Sequence, residues 1–159
     1  MQLYLLRHGA AEARALTGGD ANRQLTAEGA AEVLRQMRRA AKKGVQASLI
    51  LSSPYQRAIA TAEIAARELA CTEPILRSPA LRPDSSPADL WSEVRFHADR
   101  PSLLIVSHEP LLSTALAWLQ GITTTPPPFP SAALARLDLE TFGPVPHAAV
   151  TWLLPPSDS

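Results

Sequence analysis

The stretch LYLLRHGAAE, residues 3–12, sets the interpretation of the whole chain. Four apolar residues at positions 3–6 are typical of a short buried strand. Arg7, His8 and Gly9 follow at once, and a cation beside an imidazole would be costly inside a core. We therefore expect the strand to end here, with its polar side chains at the rim of a sheet.

Two later segments repeat this change from apolar to polar. Residues 48–51 are an apolar run that leads into the turn SSP and then Arg57, and residues 103–107 are a third run that ends at His108. The carboxyl ends of parallel strands meet at the same edge of a sheet, where ligands bind. The sequence therefore predicts one pocket that contains Arg7, His8, Arg57 and His108.

Helical patterns lie between these apolar runs. The predicted helices are one capped by Thr26 and running to about residue 43, one over about 55–70, one from Ser86-Pro87 to near 99–101, and one from Pro110 to Gly121. Further strands are predicted at 74–77, 132–139 and 149–154, with loops at 10–25 and 123–130. This alternation predicts an α/β three-layer sandwich, with a mostly parallel central sheet and helices on both faces. The last two strands can add an antiparallel edge, and we expect residues 1–159 to form a single domain.

The composition excludes several classes of partner. The chain has 159 residues, with 15 basic and 15 acidic side chains, so its net charge does not predict binding to nucleic acid or to anionic lipid. No apolar run is long enough to span a membrane, and no signal-type segment precedes the first strand. Cys71 is the single cysteine, which fits a reducing compartment. We expect a cytoplasmic protein.

The predicted pocket suits a phosphoryl group. Two guanidinium groups supply many N–H donors, and helix N-termini after Pro54 and Pro110 would add positive charge. Such a pocket can stabilise a phosphoryl group without a metal ion, so no metal and no cofactor are expected. His8 is the candidate nucleophile, its pKa lowered by the arginines, while Gly9 lets the backbone bend sharply towards the ligand. His108 would steady the equatorial oxygens.

The order of the motifs resembles a known family. RHG at 7–9, SSPYQRAIATAE at 52–63 and VSHEP at 106–110 look like the signatures of the histidine phosphatase superfamily, with its phosphoglycerate mutase-like fold. RQLTAEG at 23–29 resembles the "pLTxxG" segment before the first helix of that family. The resemblance implies a phosphatase that works through a covalent phospho-His8. It also implies that Arg7, Gly9, Arg57 and His108 bind the phosphate.

The short length of the chain narrows the resemblance to one type of member within this family. Only about 35 residues separate Cys71 from His108, which leaves little room for the helical flaps of larger relatives. The chain is most similar to the short phosphohistidine phosphatases of the SixA type. That similarity implies an open site and a phosphorylated protein, such as a histidine phosphotransfer domain, as the substrate.

The general acid of the family has no clear counterpart. Ala80, in the segment SPALRPDSS at 78–86, occupies the usual glutamate position. Asp84, Glu12 and Glu109 are alternative candidates, and the sequence does not choose among them. The P–N bond to imidazole is labile, so its cleavage needs a general acid less than cleavage of a bond to an alkoxide leaving group does.

Other functions remain open at this point. The same chemistry can serve a small phosphomonoester, such as a sugar phosphate or a nucleotide. A phosphate-binding module without turnover would use the same cationic pocket. A di-histidine metal hydrolase is disfavoured, because the sequence has no H-x-x-x-H pattern and no carboxylate cluster near the histidines.

Overall fold

The computed structural model describes residues 1–124 and 126–156. Thr125, in the predicted loop at 123–130, and residues 157–159, at the end of the predicted domain, lie outside the described residues. The strands are β1 (Gln2–Arg7), β2 (Leu49–Ser52), β3 (Leu76–Arg77), β4 (Ser102–Ser107), β5 (Leu134–Asp138) and β6 (Val150–Leu154). The helices are α1 (Ala27–Lys42), α2 (Gln56–Glu68), α3 (Pro87–Phe96) and α4 (Leu111–Gln120), and two one-turn 3-10 helices are Asp20–Asn22 and Pro79–Leu81.

The six strands form one sheet in the order β3-β2-β4-β1-β5-β6. The first four strands of this order run parallel, β5 is antiparallel to β1, and β6 is antiparallel to β5. The mostly parallel sheet with an antiparallel edge is therefore confirmed.

Side chains alternate between the two faces of the sheet, as expected for buried strands. In β1, Leu3 and Leu5 pack on one face with the apolar residues of α3 and α4. Tyr4 and Leu6 pack on the other face with α1 and α2. Each face of the sheet thus has its own core, and the three-layer sandwich is confirmed.

Local chemistry explains where several elements end. Thr26 accepts a hydrogen bond from Gly29 N at the start of α1, and Ser86 and Asp89 form a capping box on α3. Two expected boundaries differ. α2 ends at Glu68, and Ala70 has a φ of 52°. β5 begins only at Leu134, because Ala132 has a φ of 62°, which a strand does not accommodate.

Two further segments differ from their predicted form. The loop at 10–25 contains the 3-10 helix Asp20–Asn22 and an isolated bridge between Ala11 and Leu25. α3 ends at Phe96, earlier than predicted, and turns held by bonds such as Ala98 N to Arg95 O lead the chain into β4. No helix of the described residues has the length and apolar character needed to cross a bilayer.

Candidate active site

The ends of three parallel strands lie side by side. Arg7, the last residue of β1, pairs with Ser107, the last residue of β4. The next residue, His8, donates its backbone N–H to Ser107 O at 3.1 Å, and Ser53 N donates to Val106 O at 3.0 Å. These bonds bring the residues that follow β1, β2 and β4 to the same edge of the sheet.

The four predicted site residues gather at this edge. The ring centroids of His8 and His108 are 5.0 Å apart, and the Tyr55 ring lies 5.1 Å from that of His108 in an edge-on arrangement. Cζ of Arg57 lies 5.1 Å from the centre of the Tyr55 ring. The positive charges of Arg7 and Arg57 both lower the pKa of each histidine. The structure therefore brings the four residues together at one edge of the sheet, and their roles stay a prediction.

His8 is oriented by the carbonyl next to it. Its Nδ1 lies 2.7 Å from Gly9 O, and a carbonyl only accepts, so the ring carries a proton on Nδ1. Burial first, and then the charges of Arg57, Arg7 and Arg23, lower the pKa of His8 to about 4. The predicted direction is confirmed, although burial has the larger effect. At neutral pH the imidazole is uncharged and Nε2 holds a lone pair.

His108 is almost fully buried, with 1 % of its surface exposed. Burial, followed by the charges of neighbours that include Arg57, lowers the pKa of His108 far below its usual value. Its Nε2 lies 2.7 Å from Ser53 Oγ. The ring of His108 is therefore neutral, and the contact with Ser53 holds it at Nε2.

Arg7 is anchored through one terminal nitrogen of its guanidinium, and Arg57 through both. Arg7 donates Nη1 to Phe129 O at 2.7 Å. Arg57 donates Nη1 to Asp20 O at 2.8 Å and Nη2 to the Asp20 carboxylate at 3.0 Å. Both guanidinium groups therefore keep the Nε atom for another partner.

Buried atoms without a partner concentrate in this pocket. Within the described residues, four buried side-chain N or O atoms have no hydrogen-bond partner, and one of them, Oε1 of Glu32, lies on α1. The other three are Arg7 Nε, Arg57 Nε and His108 Nδ1. Leaving a buried polar group unpaired costs about 1–3 kcal/mol. The three belong to predicted site residues, and the two on Arg7 and Arg57 are cationic donors of the kind that binds an oxyanion.

Gly9 has a different role from the one predicted. Its φ does not lie in the left-handed region, so no sharp bend requires a glycine there. A Cβ atom at Gly9 would lie 2.7 Å from both Gly29 O and Val33 Cγ2, so the glycine permits close packing of α1. Its N–H donates to Thr61 Oγ1 at 3.2 Å and its carbonyl faces His8, which leaves both polar groups engaged.

The three candidate acids have contacts of their own or are exposed. Glu12 accepts a hydrogen bond from Gln24 N, and Asp84 is exposed after the second 3-10 helix. Glu109 accepts from Ser113 N and Oγ, and so caps the α4 N-terminus that was expected to add positive charge to the pocket. No hydrogen bond or ion pair joins them to the four site residues in the described part of the chain.

Sequence reasoning missed residues that support the site. Ser53 was predicted only as part of the turn SSP, and Phe129 only as part of the loop at 123–130. The sequence around Asp20 does not point to a role in the site, except that Asp20 lies three residues before Arg23. These residues act by contacts between distant segments, which local patterns do not report. Within residues 1–124 and 126–156, no three or more His, Cys, Asp or Glu residues are grouped so that they could hold a metal ion.

Sequence comparisons found one family model and one curated protein that match this chain. The family model of the histidine phosphatase superfamily (branch 1) matches residues 3–83. An uncharacterised protein of Picosynechococcus sp. is 34% identical over 123 residues, which cover 77% of this chain and 73% of that protein.

Solved structures are similar over almost the whole chain. The protein histidine phosphatase SixA, in complex with tungstate, superposes with a TM-score of 0.87 at 26% identity, covering 98% of this chain and 97% of the other. A protein from Agrobacterium tumefaciens assigned as phosphohistidine phosphatase SixA has a TM-score of 0.82 at 25% identity, with 98% of each chain covered. A mycobacterial glucosyl-3-phosphoglycerate phosphatase shares the fold at 16% identity, with a TM-score of 0.72 and coverage of 94% of this chain and 96% of that one.

Proposed function

Because the chain belongs to the histidine phosphatase superfamily (branch 1), we propose that it removes the phosphoryl group from phosphohistidine on a partner protein through a covalent phospho-His8 intermediate. Family membership and the SixA neighbours support a phosphatase. The observation that carries the finer proposal is the set of three buried, unpartnered nitrogens beside His8, on Arg7, Arg57 and His108.

These nitrogens would bind the oxygens of the phosphoryl group. Arg7 Nε and Arg57 Nε are cationic donors, and charge-assisted hydrogen bonds to an anion are about twice as strong as neutral ones. His108 would act as a neutral donor through Nδ1. Donors already in place before the substrate arrives stabilise the charge of the transition state without reorganisation. The SixA neighbour in complex with tungstate, a tetrahedral oxyanion, supports this use of the pocket.

The chemistry proceeds in two displacements. The lone pair on His8 Nε2 attacks phosphorus, and the P–N bond of the substrate breaks with its electron pair on the leaving imidazole, which takes a proton from solvent. A water molecule then attacks the phosphorus of phospho-His8, the new P–N bond breaks, and inorganic phosphate leaves. Imidazole is a good leaving group, so this route makes little demand on Glu12, Asp84 or Glu109 as an acid.

The short segment between α2 and β4 supports a protein substrate. This chain and the tungstate-bound SixA cover 98% and 97% of each other. Between α2 and β4 the structure has only β3, a 3-10 helix and α3. A site without a helical flap can accept a histidine on the surface of another folded domain.

Trapping of the phosphoenzyme tests the mechanism. The enzyme is mixed with a histidine phosphotransfer domain carrying labelled phosphohistidine, and the reaction is stopped in alkaline denaturant, where phosphohistidine survives. We expect label on the enzyme that is stable in base and lost in acid. His8→Ala should carry no label, whereas His147→Ala, which alters an exposed histidine between β5 and β6, should behave as the wild type.

Two results would contradict the proposal. Label retained by His8→Ala would exclude His8 as the nucleophile. A kcat/KM for a sugar phosphate or nucleotide well above that for the phosphorylated domain would instead favour a small phosphomonoester as the substrate.

A further inference from the structure

We infer that Asp20 is a positioning residue, which holds the Arg57 guanidinium by its terminal nitrogens and so presents the Nε–H to the phosphoryl group. This inference rests on the proposed function of the pocket. Arg57 donates Nη1 to the backbone carbonyl of Asp20 at 2.8 Å and Nη2 to its carboxylate at 3.0 Å. Among the described residues, Nε is the one nitrogen of this buried guanidinium with no hydrogen-bond partner at all, while Nη1 and Nη2 each use one of their two N–H groups on Asp20.

The plane of the guanidinium is held as well as its edge. Cζ of Arg57 lies over the ring of Tyr55 at 5.1 Å, an arrangement suited to a cation–π interaction. The side chain of Arg57 is 5% exposed. With one face against Tyr55 and one edge on Asp20, the direction of the Nε–H bond is set before a substrate binds.

A second arginine holds the Asp20 carboxylate in turn. Arg23 donates Nη1 to Asp20 Oδ1 at 2.8 Å, and its Nε donates to Glu12 O at 2.6 Å. The hydrogen bonds from Arg23 and then Arg57 keep the pKa of Asp20 below its usual value. Asp20 is thus an ionised bridge between two guanidinium groups, and it is unsuited to act as a general acid at neutral pH.

The loop that carries Asp20 has hydrogen bonds of its own. Gly18 has a φ of +77°, and a Cβ atom there would lie 2.0 Å from Asn22 Nδ2. Asn22 Nδ2 donates to Thr17 O at 3.3 Å. At its base the loop is tied by the hydrogen bond from Thr26 N to Ala10 O at 3.0 Å. These bonds link Asn22 to the turn before Asp20 and close the base of the loop.

If Asp20 instead competes with phosphate for Arg57, the effect of removing its carboxylate is reversed. If the carboxylate merely occupied Arg57 until phosphate displaced it, removing the carboxylate would strengthen oxyanion binding. If Asp20 positions Arg57, removing it frees the guanidinium to turn, and both oxyanion binding and the chemical step weaken. A misplacement of about 1 Å in a catalytic group can cost about 100-fold in rate.

The experiment compares three variants by tungstate affinity, measured calorimetrically, and by kcat and KM on the phosphorylated domain. For Asp20→Ala we expect kcat to fall about 10-fold to 100-fold and tungstate to bind more weakly. Asp20→Asn keeps an oxygen that can accept from Arg57, so it should restore most of kcat. Asp138→Asn is the matched control, since Asp138 also pairs with an arginine but lies opposite Gln2, at the far end of the sheet.

The outcomes separate this inference from the proposed function. Wild-type kcat in Asp20→Ala, or tungstate binding as tight as or tighter than that of the wild type, would overturn the positioning role. Failure of Asp20→Asn to restore function beyond Asp20→Ala would also overturn it. If the wild type does not hydrolyse phosphohistidine, the proposed function fails, and the tungstate affinities of the same variants still decide the role of Asp20.

Discussion

Ser53 Oγ lies 2.7 Å from Nε2 of His108 and also accepts a hydrogen bond from the backbone N–H of Tyr55 at 3.2 Å. One lone pair of the hydroxyl is therefore engaged, and its proton is free to point at the imidazole. If Ser53 donates to Nε2, neutral His108 must carry its own proton on Nδ1. That nitrogen is one of the buried atoms without a partner in the described residues. The contact with Ser53 thus permits the tautomer in which His108 can donate to an oxyanion.

Ser53→Ala should remove this control of the His108 tautomer. We expect kcat/KM to fall about 10-fold to 100-fold, because the ring loses the contact that orients it. Ser52→Ala is the matched control, since Ser52 is also buried but donates to a backbone carbonyl, that of Ser53. ¹⁵N NMR of the imidazole should show the Nδ1–H tautomer in the wild type. An Nε2–H tautomer there would contradict the assignment.

Arg7→Lys should show that the two ends of the guanidinium have separate tasks. Arg7 binds Phe129 O through Nη1 and keeps Nε unpartnered in the described part of the chain. A lysine ammonium is a compact charge that does not reach both positions in the geometry of a guanidinium. We expect kcat/KM to fall about 100-fold or more, as when one preorganised donor is removed. Arg136→Lys, in the middle of β5 opposite Tyr4, should keep wild-type activity. Wild-type activity in Arg7→Lys would mean that positive charge alone suffices.

The main features of the fold, and the sheet edge at which four polar side chains meet, could be predicted because their signals are local. An apolar run followed by a cation or histidine marks the end of a strand, and parallel strands bring such ends to one edge. Thr26 and Ser86 mark helix starts by their own side-chain chemistry. These features depend on residues adjacent in the chain, so they are the same whichever distant segments pack against them.

The supporting contacts could not be predicted in this way. Asp20 is 37 residues from Arg57, in a loop whose polar residues look like those of any solvated loop. Arg7 uses the backbone carbonyl of Phe129, and a backbone group carries no sequence signal. Gly9 was correctly expected to be special, but its reason lies in a helix packed against it. Such contacts are determined only when the whole sheet is assembled.

Gly29→Ala should destabilise the fold at the contact between α1 and the segment that follows β1. A Cβ atom at Gly29 would lie 2.1 Å from Ala10 O, and backbone atoms give way less easily than side chains. Overpacking of this kind costs typically about 1–3 kcal/mol. Urea unfolding should show this decrease in the free energy of unfolding. Gly143→Ala is the control, because nothing lies within 4 Å of a Cβ atom there. An unchanged midpoint for Gly29→Ala would show that the segment shifts freely.

The buried histidines should make the fold sensitive to mild acid. Burial, with the charges of Arg57 and Arg7, lowers the pKa of His8 to about 4 from 6.5. Between these two values the unfolded chain binds a proton that the folded chain does not, so the free energy of unfolding decreases as the pH falls. The lowered pKa of His108 acts in the same direction. Each imidazole adds at most about 1.4 kcal/mol per pH unit to the slope, and above about pH 7.5 this contribution is constant.

Urea unfolding of the wild type and of His8→Gln between pH 5 and 8 measures this effect. The wild type should lose stability steadily below about pH 6.5, and the variant should lose it with a shallower slope, because one of the two buried imidazoles is gone. The carboxylates with lowered pKa, such as Asp20, titrate at lower pH and contribute little in this window. Parallel slopes for the two proteins would mean that His8 takes up its proton as readily in the folded chain as in the unfolded one. The imidazole would then be largely cationic below about pH 6, and an attacking lone pair on Nε2 would be scarce there.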